Sequence, residues 1–332
     1  MNFRTSHTLI CFLLIIILFV SGCTKSFLPR DLAPPDVEEL VVVRTYLVDT
    51  KPFFSASVSV ALNPFKEYEA SDNLLSTSEL LGDHHFEVRL FKNGEDLGLL
   101  QYQPDTVKTV LFNRPNFRKE ISPAEVGDIF RMEVRHPDFP EVFAYQEIPA
   151  KVPLQRIEYL GLVGISDFED PVDGYLPLYG LRITLDDPAM TNNYYQISIA
   201  DFKLSPDSPS DNVMIPTQIH TLESDEPSLI PLTPIFNGSF YLGDLEFNGK
   251  QVSFVIKSTR PFTSDTRLVW RNISKEWFHY VVSIISQKPE YSIVDRDALL
   301  RGYFQPSSVE GNIVGGLGCF CAGTEELYVV PQ

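Results

Sequence analysis

Side chains that alternate apolar and polar every second residue dominate the chain and limit what it can become. In "HFEVRLF", Phe86, Val88 and Leu90 fall on one side and Glu87 and Arg89 on the other. "ELVVVRTYLV", "FSASVSVAL", "IFRMEVRH" and "VFAYQEI" repeat the pattern before Pro149, and "YGLRITLDDP" and "NNYYQISIADF" carry it on afterwards. A period of two is the signature of a strand with one buried face. Proline (25) outnumbers glycine (18), and aromatic residues reach 12%, a composition that suits short strands joined by turns. About seven strands within residues 37–150 predict an immunoglobulin-like β-sandwich. Residues 155–332 predict a second, β-rich domain, with "IPAKVPL" as the boundary. The fold class is therefore mainly β.

Turns and one helix punctuate this pattern. Asn93-Gly94 predicts a tight hairpin, because both central positions of a type I′ turn need positive φ. Asn248-Gly249 predicts another, inside "FYLGDLEFNGKQVSFVIKS". "ISKEWFHYVVSIISQ" is the exception to the period of two. Ser274 is placed as its N-cap, with Ile273 and Phe278 spaced as a hydrophobic staple. Trp277, Tyr280, Val281, Ile284 and Ile285 then form one apolar stripe. This helix is expected to pack on a sheet of the second domain.

The N-terminus has its own logic. One Arg is followed by an uncharged apolar run from Leu9 to Val20 and then by Ser21-Gly22-Cys23. That run is short of the about 20 residues a membrane-spanning helix needs and has the proportions of a signal-peptide core. The small residues before Cys23 resemble a lipobox. Residues 1–22 thus read as a lipoprotein signal peptide, Cys23 as the lipidation site, and residues 23–36 as acylated Cys and tether. Two or more acyl chains anchor stably where one does not.

Little else points to chemistry. The net charge of −17 is dispersed, and without a basic stripe a nucleic-acid partner is disfavoured. "GNIVGGLGCFCAG" lacks the Lys-Ser/Thr and the following helix of a phosphate loop. Cys319 and Cys321 have no second Cys pair and no nearby His for a closed metal site, and a disulfide between them is expected to be strained. They read as small buried hydrophobes on a strand. His84-His85 starts a strand, so the two rings face opposite ways. Asp167, Glu169, Asp170 and Asp173 could hold Ca²⁺, but their spacing fails the EF-hand pattern. No nucleophile elbow, zinc-protease motif or dinucleotide fingerprint is present. The expectation is no catalytic residue, no cofactor and no metal.

The ordered set "ELVVVRTYLV", "GDIFRMEVRHPDFPEVFAYQEIP", "DDPAMTNNYYQISI", "ISKEWFHYVVSI" and "GNIVGGLGCF" resembles a Bacteroidota lipoprotein family with a domain of unknown function, number 4249. Cys at 319 and 321 departs from that family's commonest ending. The resemblance implies a lipid-anchored outer-membrane lipoprotein, held to the membrane through acylated Cys23 and often encoded beside a TonB-dependent receptor. It implies no activity. The leading expectation is a non-enzymatic accessory or ligand-capturing subunit of a TonB-dependent uptake system. The alternatives are a structural or assembly component of the cell envelope and a hydrolase with an unrecognised site.

Overall fold

In the computed structural model, residues 40–61, 85–103, 117–170, 174–204, 214–231, 238–286 and 310–331 are described. The first half forms β1 (Leu40–Val48), β2 (Phe53–Ala61), β3 (Glu87–Lys92), β4 (Glu95–Leu99), β5 (Gln101–Tyr102), β6 (Phe117–Glu120), β7 (Ile129–His136) and β8 (Phe139–Glu147). The second forms β9 (Leu154–Asp170), β10 (Gly174–Asp186), β11 (Tyr194–Leu204), β12 (Met214–Ile219), β13 (Leu222–Glu223), β14 (Ile230–Pro231), β15 (Ser239–Gly243), β16 (Gln251–Ser258) and β17 (Thr266–Ile273). Helix α1 (Lys275–Ser286) and β18 (Leu317–Val329) follow. The protein is mainly β, with one α-helix among the described residues.

These strands make a ten-stranded sheet and two four-stranded sheets. The long sheet runs β14-β15-β11-β17-β18-β1-β2-β6-β5, with β12 beside β11. The small sheets run β4-β3-β7-β8 and β13-β16-β10-β9. The last strand joins the two halves. β18 pairs in parallel with β1, from Val42 opposite Leu317 to Val48 opposite Gly323, and antiparallel with β17.

Alternation then decides what each face meets. Phe320 and Ala322 of β18 enter a core shared by β1, β2 and β6 with β3, β7 and β8. Tyr328, on the same side of β18, packs against the core shared by β11, β15 and β17 with β10 and β16. Both small sheets therefore lie against one face of the long sheet. The first core draws Ile313, Phe320 and Ala322 from beyond Pro149, and the long sheet spans both halves. All described residues fall in one compact unit, Glu39–Leu62 with Glu69–Gln332. The other unit, Met1–Glu38 with Asn63–Tyr68, lies outside the described residues.

The first expected hairpin is present. Asn93 and Gly94 have φ of 52° and 84°, and they join β3 to β4. The second is corrected. β15 pairs with β11 and β14, whereas β16 pairs with β10 and β13, so the chain crosses between sheets at Asn248-Gly249. A 3-10 turn at Asp244–Glu246 precedes the pair. Only the glycine of the pair has positive φ, at 72°, so a type I′ turn cannot form. The Asn248 side chain instead accepts from Met190 N at 3.1 Å and donates to Thr191 O, tying the crossover to the loop between β10 and β11.

Candidate functional site

The opposite face of the long sheet is covered by α1. Ser274 caps the helix as its spacing predicts: its Oγ accepts from Trp277 N at 3.3 Å, and its carbonyl accepts from Phe278 N at 3.1 Å. Trp277, Tyr280 and Val281 are buried against Ile273, Tyr194, Tyr241, Cys319 and Cys321, with Phe278, Ile284 and Ile285 packed beside them. Trp277 meets Tyr46 with ring centroids 5.3 Å apart. The two cysteines point from β18 into this layer, with Sγ atoms 2.6 Å apart. Burial pushes the Cys321 thiol well up, and the neighbouring Cys319 raises it further. A thiol so enclosed is not a nucleophile toward substrate.

The glycine-rich segment before β18 is a close-packed strap. A Cβ on Gly311 would sit 2.0 Å from Gly318 O, and one on Gly318, whose φ is +109°, would sit 1.9 Å from Val43 O. Only glycine allows both the approach and the torsion. Asn312 fixes the strap: its Oδ1 accepts from Phe320 N at 2.8 Å, and its Nδ2 donates to Phe320 O at 3.0 Å and Gln146 Oε1 at 2.9 Å. Ile313 is buried in the first core. The segment is therefore structural, neither phosphate loop nor metal clip.

Beyond the helix, this face carries a polar row across four strands. Tyr241, Gln196, Arg271 and Glu325 are direct cross-strand neighbours. Gln196 Nε2 donates to Tyr241 Oη at 3.1 Å, Arg271 Nη1 to Gln196 Oε1 at 3.0 Å, and Arg271 Nε to Glu325 Oε2 at 2.8 Å. Glu325 N donates to Asp49 Oδ1 at 2.8 Å, and Lys151 lies 2.7 Å from the other oxygen of Asp49. The charges are paired in series, as partly buried charges must be.

One constellation escaped the sequence reading. His220 Nδ1 lies 2.8 Å from Ser258 Oγ, and its Nε2 lies 3.2 Å from Asp201 Oδ1. Serine, histidine and aspartate in this order suggest a hydrolytic triad, but the geometry refuses it. Ser258 is 0% and His220 1% exposed. Ser258 Oγ donates to Arg260 O at 2.9 Å and accepts from Arg260 N at 3.1 Å. Among the described residues the 3.2 Å approach of His220 Nε2 to Asp201 Oδ1 is an ion-pair contact without the alignment of a hydrogen bond. Asp201 Oδ1 is taken by Thr266 Oγ1 at 2.6 Å, and Phe262 lies over the imidazole. The array fastens the chain between β12 and β13 to β16 and β11. No local motif could have flagged it, because its members are 38 and 19 residues apart in sequence (258 − 220 and 220 − 201).

Exposed apolar surface collects elsewhere. β10 pairs with β16 only over Tyr179–Asp186, whereas β9 and β10 continue together out to Asp170 and Gly174. The overhang is a two-stranded arm. The arm exposes Ile165 (66%) and Tyr175 (62%), and Leu162 (66%) and Val163 (41%) stand at its root beside Tyr179 and Gly180; among the described residues β9 pairs only with β10. A separate shallow, open depression of about 430 Å³ lies between β8, Pro149 and the start of α1. Gln146 Nε2 and Glu276 Oε2 are bonded to each other there at 3.2 Å.

The residues singled out from sequence are distributed as follows. Cys23, His84 and Asp173 lie outside the described residues, as do the side chains of Asp167, Glu169 and Asp170. His85 is exposed and its ring stands 6.1 Å from that of His136. Among the described residues no group of three or more His, Cys, Asp or Glu could hold a metal ion, and no helix is long and apolar enough to cross a membrane. The sequence profile of a family described as a domain of unknown function (DUF4249) matches residues 31–327. No curated protein matches the chain.

Proposed function

We propose that this chain, which belongs to the DUF4249 family, is a lipid-anchored outer-membrane protein that serves a TonB-dependent uptake system as a non-enzymatic, partner-binding subunit. The β9–β10 arm carries the reading. Four large apolar side chains exposed on one hairpin and at its root are more than scattered surface residues. Among the described residues β9 is an edge strand, and an edge strand offers main-chain donors and acceptors to a partner strand. A β-barrel receptor offers such strands and loops. Ser21-Gly22-Cys23 supports the anchor. The sealed state of Ser258 and His220 removes the one triad-like array found among the described residues as a reason to propose hydrolysis.

The test is a pull-down from native membranes in mild detergent, comparing the wild type with a Leu162→Asp/Ile165→Asp variant. The wild type should retain a β-barrel receptor and the variant should lose it. Both positions are solvent-facing, so the variant should melt within about 0.5 kcal/mol of the wild type. Equal recovery of the receptor by both proteins, or recovery by neither, overturns the reading.

A further inference from the structure

The crossover between sheets at Asn248-Gly249 lies beside two buried carboxylates that the proposed function does not use. We propose that Asp187 and Asp244 hold a hard divalent cation, Ca²⁺, which clamps this crossover to the loop between β10 and β11.

Asp187 follows β10, and Asp244 opens the 3-10 turn after β15. They are 4% and 1% exposed. The same two short segments bracket both. Asn193 donates its backbone N–H to Asp244 Oδ2 at 2.7 Å and its side-chain amide to Asp187 Oδ1 at 3.4 Å. From the crossover, Asn248 Nδ2 donates to Asp244 Oδ2 at 3.3 Å and Gly249 N to Asp187 Oδ2 at 3.3 Å. Tyr195 Oη also donates to Asp187 Oδ1. The two carboxylates therefore belong to one enclosed cluster.

Every one of these donors is neutral. Six Asp and Glu residues are buried among the described residues. Four of them face a cation: Asp49 meets Lys151, Asp128 meets Lys92, Glu133 meets Arg135, and Glu325 meets Arg271. The other two are Asp187 and Asp244, and they stand together. Asp244 Oδ1 is moreover buried with no hydrogen-bond partner among the described residues. Buried charges are paired or coordinate metals. Hydrogen bonds donated to a carboxylate favour its charged form, so the cluster is built for negative charge and needs the opposite one. Burial drives the Asp244 pKa up, and the charge of Asp187 adds to this against the hydrogen bonds from Asn193. A cation relieves both.

The oxygen chemistry selects the ion. With neither His nor Cys in the cluster, zinc is unsuited. Ca²⁺ takes about 6–8 oxygens in loose geometry, with amide, carbonyl and water oxygens beside carboxylates. It therefore does not need the group of three acids that the described residues lack.

The full chain, dialysed against EDTA, is titrated with CaCl₂ by calorimetry and followed by thermal unfolding. The wild type should bind a single Ca²⁺, and its Tm should rise by roughly 5 °C at about a hundredfold excess over Kd. Asp244→Asn removes one charge and supplies a donor at the orphaned position. In EDTA it should melt at or above the wild type, and CaCl₂ should not move it. No binding by the wild type overturns the site, leaving a proton or water to satisfy the pair. An equal response of the variant overturns it as well, because the ion then sits elsewhere. Hydrogen exchange on the wild type needs no variant to fold: CaCl₂ should protect residues 187–195 and 244–250, and protection confined to other segments overturns the assignment. None of these outcomes depends on a receptor.

Discussion

On one face of the long sheet, alternate side chains of β1, β17 and β18 meet two four-stranded sheets. On the other face, the same three strands meet a single helix of 12 residues. The first face is mainly apolar, with Phe320 edge-on to Phe54 at 5.5 Å and Trp270 stacked on Tyr195 at 4.8 Å within the long sheet, and its buried polar groups, His220 and Ser258 among them, bond to each other. The second is mixed, with aromatic rings and thiols under α1 and a paired polar row where the helix stops. A face covered by whole sheets needs few polar partners, and those it has are paired with one another. A face covered by one helix must satisfy with polar partners whatever the helix leaves open.

That contrast can be broken at β18, where both faces meet. The largest effect is expected for Gly318→Ala. Its new Cβ would lie 1.9 Å from Val43 O at a φ of +109°, so β1 and β18 must separate and both faces lose cover. Urea unfolding should show a loss above about 4 kcal/mol, the range reserved for specific structural damage. A near-native midpoint would mean that the two strands are not held as closely as described.

Trp270→Ala and Trp277→Ala compare the faces directly. Each removes a buried indole, a loss of about 3–5 kcal/mol. Trp270 is 0% exposed and its Nε1 donates to Val152 O at 2.8 Å, whereas Trp277 is 5% exposed. An orphaned carbonyl adds about 1–3 kcal/mol, so the Trp270 variant should be the less stable. The reverse order would make the helix face the principal core.

The smallest effect is a pH dependence confined to the sheet-covered side. Burial lowers the pKa of His220, against the opposing pull of Asp201. The unfolded chain takes up this proton near about 6.5, the folded chain only at lower pH. Its contribution to stability is therefore complete above about 6.5 and is lost as pH falls through the folded value. His220→Gln should flatten that part of the stability–pH curve. An unchanged slope would assign the acid sensitivity to other groups.

Much of this architecture was legible one segment at a time. Alternation identified the buried faces of β3, β7 and β10, and placed β1 and β11 as strands. Positive φ at Asn93-Gly94 and the Ser274 cap follow from short-range sterics and hydrogen bonding that a few residues contain in full. The burial of Cys319 and Cys321 follows from their character as small hydrophobes on a strand. What tertiary structure decided is which strands become neighbours. A period of two states which side a residue faces but not what it will face, and Leu317 stands opposite Val42 across nearly the whole chain. The same limit explains the crossover at Asn248-Gly249, where tertiary bonds from the Asn248 side chain to Met190 and Thr191 oppose a hairpin that local propensity favours. It also explains why Asp201, His220 and Ser258 were invisible as a group. Long-range pairing is chosen by the summed fit of many side chains across a sheet, and no single segment carries that sum.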